Sequence, residues 1–387
     1  MPALDQIRGY HDALAAIRQD LHAHPELGLE EHRTAAIVAA KLEEWGIEVH
    51  RGVGRTGVVG VLRAGNGPGR IGLRADMDAL PMDEANDLPY RSQSPGRMHA
   101  CGHDGHTTML LGAARYLAET RDFNGTVHLI FQPGEEGAGG ALAMLDDGLL
   151  ERFPCDAVFG MHNRVGMPVG QYAICPGPAM AGGAFFDIAI DGRGSHGAYP
   201  DHSVDPVLVA CHVGAALQSV VARNVAPTKT AVLSVTKIHS GDAYNVIPQA
   251  AALAGTARAF DPAVMALIEA RLRQVAEGVA AGFGATARVD FRVIFAPLVN
   301  DAAQATAIAD AAADLVGEAL VDRAKGPTMG SEDFSFMMER APGAYILVGN
   351  GDGAPAHNER YNFNDETTPY GAALYARLVE RTLPKGA

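Results

Sequence analysis

Arg70-Ile71-Gly72-Leu73-Arg74-Ala75-Asp76-Met77-Asp78 decides the fold. A short, mostly apolar run with a strand's length ends abruptly in two aspartates, as expected of a strand buried on both faces whose last residues meet a polar crevice. The same pattern recurs along the chain. Thr126–Gln132 is followed, after Pro133-Gly134, by Glu135-Glu136; Ala157–Gly160 by His162; and Ala344–Gly349 by His357. Helical stretches separate several of these strands, which predicts an α/β fold with a mostly parallel sheet flanked by helices. In open sheets of this kind the ligand crevice lies beyond the carboxyl ends of the strands. Asp76, Asp78, Glu135, Glu136, His162 and His357 all fall at that edge. Packing does not explain so many carboxylates there, because Asp and Glu are rarely buried unless paired or bound to a metal.

Between the first two of these strands stands Met98-His99-Ala100-Cys101-Gly102-His103-Asp104-Gly105-His106. One thiol, three imidazoles and a carboxylate are the side chains that ligate divalent transition metals. A single buried Cys or His has an ordinary structural explanation; Cys-x-His-x-x-His does not, and no Cys-x-x-Cys suggests a closed structural zinc site. The apolar run Thr107–Leu117 has helical spacing, so the cluster is expected in a loop entering a helix. The positive end of that helix would favour a thiolate at Cys101.

Composition narrows the class of protein. The 387 residues suit two domains, and 48% hydrophobic content supports substantial cores. A net charge of −14 without a basic run disfavours nucleic acid and anionic membrane surfaces as partners. The four cysteines, Cys101, Cys155, Cys175 and Cys211, form no disulfide framework, so a reducing, cytoplasmic setting is expected. Leu4, Ile7, Leu14, Ile17 and Leu21 recur at helical spacing among charged residues, as in one amphipathic surface helix rather than a secretion signal. No later apolar run is expected to be long enough to cross a bilayer. Gly52-Val53-Gly54-Arg55-Thr56-Gly57 matches the dinucleotide fingerprint in letters only. The adjoining Val58–Leu62 reads as a strand and not as a helix, so a hairpin turn is expected.

The middle of the chain has a different rhythm. Strand, helix, two strands, helix and strand succeed one another over Ala184–Asp191, Val204–Arg223, Ala231–His239, Ala251–Phe260, Pro262–Phe283 and Thr286–Phe295. This is the β-α-β-β-α-β order of a ferredoxin-like α+β domain. Ligand candidates lie on both sides of it. The domain is therefore expected as an insertion, residues 181–296, in a catalytic domain split into 1–180 and 297–387.

The chain resembles the M20 metallopeptidase family, in particular its amidohydrolase branch of hippurate hydrolases, aminoacylases and auxin-conjugate hydrolases. The matching segments run almost end to end. They include His24-Pro25-Glu26-Leu27, Arg74–Pro81, the Cys101 cluster, Phe131–Glu136, Gly160-Met161-His162-Asn163, Gly194–Pro200, Asn245-Val246-Ile247-Pro248, Ser331-Glu332-Asp333-Phe334 and His357-Asn358. In the broader family a histidine stands where Asp76 stands here; in the amidohydrolase branch His103 compensates.

The resemblance implies two divalent metal ions (Zn, Mn, Ni or Co). Cys101 would bridge them, with Glu136 and His357 on one and His103 and His162 on the other. It also implies Glu135 as general base, Asp78 as the residue orienting a ligand, and His196, beside Asn245, as an oxyanion donor contributed across a homodimer or tetramer. Arg258 and the Gly330 loop are candidates for the substrate's carboxylate. The implied reaction is metal-dependent hydrolysis of N-acyl-L-amino acids, hippurate-like or N-acetyl, to a carboxylate and a free amino acid. A dipeptidase or N-acetyl-diaminopimelate deacetylase of the same family, a hydrolase using Cys101 as nucleophile, and a non-catalytic metal-binding protein are the alternatives.

Overall fold

Strand Arg70–Asp76 runs through the interior of an eight-stranded sheet and is buried from Ile71 to Asp76. The computed structural model describes residues 2–385, and its contacts divide the chain into two units. The first unit, up to Ala179 with Val299–Gly326 and the chain from Asp333, holds this sheet. In spatial order the strands are Glu48–Val53, Gly57–Ala64, Gly125–Gln132, Arg70–Asp76, Ala157–Arg164, Gly343–Gly349, Tyr172–Ala173 and Val321–Asp322. The third to sixth are mutually parallel, so their carboxyl ends lie along one edge. The first two form the antiparallel hairpin expected around Gly52–Gly57.

Helix His103–Thr120 is buried along most of its length and packs between the N-terminal helices and helix Thr368–Thr382. A glycine makes that packing possible. A Cβ at Gly112 would stand 2.9 Å from Ala372 Cβ and 3.0 Å from a Leu14 methyl. The N-terminal apolar repeat forms two helices, Pro2–Arg8 and His11–Ala23, instead of the single one expected. The first closes in tight turns, Gly9 N to Gln6 O and Tyr10 N to Ile7 O, while Leu4, Ile7, Leu14 and Leu21 all remain in the core.

The second unit comprises Met180–Leu298 and Pro327–Glu332. Its four-stranded antiparallel sheet has the order Ala231–His239, Ala250–Ala259, Gly182–Asp191, Thr286–Phe295. Strand Gly182–Asp191 alternates: Ala184, Phe186, Ile188 and Ile190 are buried against the helices, while Phe185 and Asp187 are exposed. Helices Pro206–Asn224 and Pro262–Gly282 begin alike, with a capping aspartate (Asp205, Asp261) accepting a main-chain N–H and a proline just inside.

Two expectations need correction. Residues 327–332 group with this unit and not with the first, because Ala181 N donates to Gly330 O at 3.0 Å and Met180 bridges to Thr328. Helix Pro206–Asn224, at 19 residues, is long and apolar enough to cross a membrane by length and composition, contrary to the sequence reading. Val209, Val213, Leu217 and Val220 account for much of that hydrophobicity, and they form the unit's core.

In the first unit, helix His11–Ala23 contributes two buried basic residues, Arg18 and His22. Arg18 Nε donates to Asp365 Oδ1 at 2.7 Å, and its guanidinium lies over the Tyr90 ring. His22 sits between Asp104 Oδ2 at 2.8 Å and Glu84 Oε1 at 3.3 Å. Burial alone would depress the His22 pKa, but its hydrogen bonds to Asp104 and Glu84 outweigh that and raise it to about 9. An unfolded histidine titrates near 6.5. The stabilisation His22 provides is therefore fully present below about pH 6.5 and is lost as pH rises through about 9. Denaturant unfolding of the wild type and His22→Gln at pH 6, 7.5 and 9 checks this. The wild type should lose more stability than the variant across that range, and parallel curves would show that His22 is not held as a cation.

Candidate metal centre

Five segments bring the site together at the carboxyl edge of the parallel strands. Strand Arg70–Asp76 ends in Asp76 and leads to Asp78; strand Gly125–Gln132 leads to Glu135 and Glu136. His162 lies on strand Ala157–Arg164 itself, near its end, and His357 lies beyond strand Gly343–Gly349. The fifth segment is the Cys101 cluster. Gly102, with φ +97°, makes the turn, and a Cβ there would stand 2.4 Å from Tyr361 Oη and 2.5 Å from Asn163 Oδ1, so both conformation and space demand glycine. The helix begins at His103, so His103, Asp104 and His106 belong to its first turn and not to a preceding loop.

Two triads share one thiol. Cys101, His103 and His162 have ligating atoms within 4.8 Å of one another, and so do Cys101, Glu136 and His357. Cys101 Sγ lies 3.3 Å from His162 Nε2, and His357 Nε2 lies 3.2 Å from Glu136 Oε1. His103 Nδ1 donates to Asp78 Oδ1 at 3.1 Å, and His162 Nδ1 donates to the Asn163 carbonyl at 2.6 Å. Each ring therefore presents Nε2 to the cluster, the arrangement by which an outer partner fixes a ligating imidazole. Asp78 does more than orient His103. Its Oδ2 accepts the Glu136 N–H at 2.9 Å, and it caps no helix. His357 has a left-handed backbone, φ +65°, and its N–H donates to Ala100 O at 2.7 Å. Such a conformation costs a non-glycine residue on the order of 1 kcal/mol or more.

The donor set fits divalent cations. His103 Nε2 is buried and has no hydrogen-bond partner among the described residues. Glu136 Oε1 is also buried and unbonded; it faces His357 Nε2 at 3.2 Å and His103 Nε2 at 4.0 Å. Burial, followed by the neighbouring His106, pushes His162 down to about 3 and keeps its imidazole neutral with a lone pair available. Burial pushes the Cys101 thiol up, and the Glu136 charge pushes it the same way. The helix terminus thus does not make a thiolate here, as the sequence reading expected, because desolvation of the buried sulfur outweighs it. A bound metal ion would deprotonate the thiol directly.

Glu135 is buried beside the cluster, with a carboxylate oxygen within 4.8 Å of ligating atoms of His103 and Glu136. The turn that carries it is anchored from behind. The Glu31 carboxylate, itself fully buried, accepts the N–H groups of Gly134 and Leu29 and the Thr56 hydroxyl. Asp76 takes another part. Its carboxylate is engaged by Arg74 Nη1 at 2.8 Å and His106 Nδ1 at 2.6 Å. Sequence reading gave Arg74 and Glu31 no role and took His106 only as a member of the Cys-x-His-x-x-His cluster. His106 alone left a local signal, its three-residue spacing from His103, which places both on one face of a helix.

The second unit carries the other candidates in two separate places. Strand Ser195–His196 pairs with Val246–Ile247, and Gly197 N donates to Asn245 O at 2.7 Å, so His196 and Asn245 are neighbours on one exposed two-stranded ladder. Arg258, whose pKa is lowered by burial, is half-buried near Gly183. Its Nη1 and the hydroxyl of Ser331 are buried without hydrogen bonds, and Gly330 adjoins Ser331.

Comparison with known proteins gives a consistent result. Residues 72–381 match the model of peptidase family M20/M25/M40. A hippurate hydrolase of Campylobacter jejuni is 41% identical over 386 residues, covering 99% of this chain and 100% of its own. An Arabidopsis thaliana protein named IAA-amino acid hydrolase ILR1-like 4 is 41% identical, with 97% and 86% covered. A Bacillus subtilis crystal structure described as a dinuclear metal binding peptidase from the M20 family is similar with a TM-score of 0.83 and 34% identity, covering 97% of this chain and 99% of that one.

Cys101→Ser should lower metal content per folded molecule more than it lowers unfolding stability. Elemental analysis and denaturation of one preparation check this. Unchanged metal with reduced stability would make Cys101 a packing residue only.

Proposed function

The chain belongs to peptidase family M20/M25/M40, and from that membership we propose that it is a metal-dependent amidohydrolase that cleaves N-acyl-L-amino acids to a carboxylate and a free amino acid. The observation that carries the reading is the pair of donor triads sharing Cys101, with buried, unbonded His103 Nε2 and Glu136 Oε1 turned toward each other and the Glu135 carboxylate beside them. Cys101, Glu136 and His357 would hold one divalent ion, and Cys101, His103 and His162 the second. Bound there, the ions supply Lewis acidity, which acidifies water and polarises a scissile carbonyl.

The chain's own groups do the rest. Glu135 takes a proton from the attacking water as its oxygen bonds to the carbonyl carbon. It returns that proton to the amide nitrogen as the C–N bond breaks. Asp78 keeps two participants in register at once, the His103 ring and the main chain of Glu136. Arg258, with Ser331 and Gly330 nearby, is the candidate to receive the carboxylate of the amino-acid half. Such a group is well suited to the task, since its buried Nη1 lacks an internal partner. Aryl-acyl conjugates are favoured over dipeptides, on the strength of the relatives named for hippurate and indole-acetyl amino acids. Four free cysteines and an acidic surface fit the cytoplasm.

A panel of N-benzoyl, N-acetyl and indole-acetyl amino acids and dipeptides, assayed with metal analysis, tests the reading. Activity should disappear with chelator and return with metal, and Glu135→Gln should lose about 10²–10⁴-fold in turnover while keeping its metal. Chelator-resistant turnover would instead favour Cys101 as nucleophile, and a metal-free Glu135→Gln protein would mean that the two glutamates have exchanged roles.

His196 and Asn245 complete the proposal. His196 donates to the developing oxyanion in a homodimer, from a second copy of the chain and with Asn245 beside it, an effect typically worth about 10²–10³-fold. Mixing inactive Glu135→Gln and His196→Ala proteins under subunit exchange should restore activity toward that of a half-active dimer. Verified exchange without any recovery would refute sharing of this kind.

A further inference from the structure

His106 points neither outward nor at the proposed ions. It is 1% exposed and is held at both nitrogens. Nδ1 lies 2.6 Å from Asp76 Oδ1, and Nε2 lies 2.8 Å from Asn163 Oδ1. Its anchors are themselves tied. Asp76 accepts Arg74 Nη1 at 2.8 Å, and Asn163 Nδ2 donates to Tyr361 Oη at 2.7 Å. Nε2 also accepts the Asn163 main-chain N–H at 3.1 Å, so both nitrogens of His106 are already engaged within the protein.

What it offers is its ring. The centroid lies 4.6 Å from that of His162 at 67° and 5.4 Å from that of His103 at 31°, while His103 and His162 are 6.2 Å apart at 84°. Behind the cluster, His103 and His162 are each secured by one hydrogen bond, to Asp78 Oδ1 and the Asn163 carbonyl respectively. A single hydrogen bond leaves a ring free to swing about its axis. A third ring, immobilised at two points and packed against both, removes that freedom. His357 and Glu136 form no such contact with it: they belong to the other triad.

We propose that His106, locked between Asp76 and Asn163, is the positioning residue for the His103–His162 half of the metal centre, and that it acts on that half selectively. This rests on the proposed two-ion centre. Asp76 anchors His106 and also stands, through Oδ2, 3.8 Å from His103 Nε2, so it bears on this half of the centre both through His106 and directly. Because ligating imidazoles so supported typically lose about 10–100-fold in metal affinity when the support is removed, the effect should be measurable at one ion out of two.

The experiment titrates metal-free wild type, His106→Leu, His106→Gln and Asp76→Asn with cobalt(II), following stoichiometry by elemental analysis and the visible spectrum of the thiolate-bound ion. Unfolding of each metal-free protein is measured alongside. Wild type should bind two ions. His106→Leu should keep one at near wild-type affinity, bind the second about 10–100-fold more weakly, and show an altered spectrum. His106→Gln, which retains hydrogen-bonding capacity, should recover part of the second site and serves as the readout if the leucine variant does not fold. Asp76→Asn should shift the same site in the same direction by less. Two ions bound with wild-type affinity and spectrum in the folded variants, or equal weakening of both, would overturn the assignment. Fewer than two ions in the wild type would overturn the two-ion centre itself, and this proposal with it.

Discussion

Arg74 neutralises a buried, charged region of the first unit, and much of the site depends on it. Its side chain is wholly buried in strand Arg70–Asp76. Nε donates to Gln132 Oε1 on the neighbouring strand, Nη1 to Asp76, and Nη2 lies 3.3 Å from Asp333 Oδ1. Asp333 in turn accepts Gln132 Nε2 at 2.6 Å and the Ala141 N–H at 2.9 Å. That last bond fixes the start of helix Gly140–Asp146, just after the turn carrying Glu135 and Glu136. Removing one partner of a buried ion pair typically costs about 3–5 kcal/mol, because the other charge is stranded. One guanidinium thus holds together the ends of two strands and both sides of the glutamate turn.

The glutamate turn is defined on three sides. Glu31 holds Gly134, whose φ of +58° lets the strand end sharply. Asp78 holds Glu136, and Asp333 holds Ala141. Glu31 also accepts the N–H of Leu29, which has φ +64°, so one carboxylate stabilises a strained residue and the glutamate turn together. Preorganisation of this sort would let the two adjacent glutamates serve the different ends proposed for them, Glu135 as base and Glu136 as metal donor. Side chains that are free to move would compete for the same cation.

Asp104 performs a comparable service for the helix that begins at His103. Burial alone would raise its pKa, but His22, His99 and Arg18 more than reverse that and hold it well below the usual carboxylate range. The carboxylate remains ionised and joins helix His11–Ala23 to the first turn of helix His103–Thr120. The second unit is built on another plan. Its sheet has its own core against two helices, and its functional candidates are an exposed two-stranded ladder and a half-buried arginine instead of a charged interior.

The apolar runs that end in Asp76, Asp78, Glu135 and Glu136, and the β-α-β-β-α-β order between Gly182 and Phe295, could be read directly from the chain. Strand length, turn residues and alternation are local properties, and the parallel sheet and the inserted sheet derive from them, while the choice of donors among the polar residues at the sheet edge is what the resemblance to the M20 family implies. The Cys101 cluster was legible for the same reason: thiol, imidazole and carboxylate lie together in nine residues. What local sequence does not encode is how those histidines divide their work. His103 faces the cluster because Asp78 holds its far nitrogen, and His106 is turned away because Asp76 and Asn163 claim both of its own. His99 is buried with neither nitrogen bonded, and its ring lies 6.3 Å from that of His22. The break at Gly9 and the neutral thiol of Cys101 likewise depend on neighbours distant in sequence. Sequence by itself determined which atoms could bind and on which edge of the sheet. Tertiary structure decided which of them face the cluster, because a side chain's direction and charge are set by partners that only folding brings within hydrogen-bonding distance.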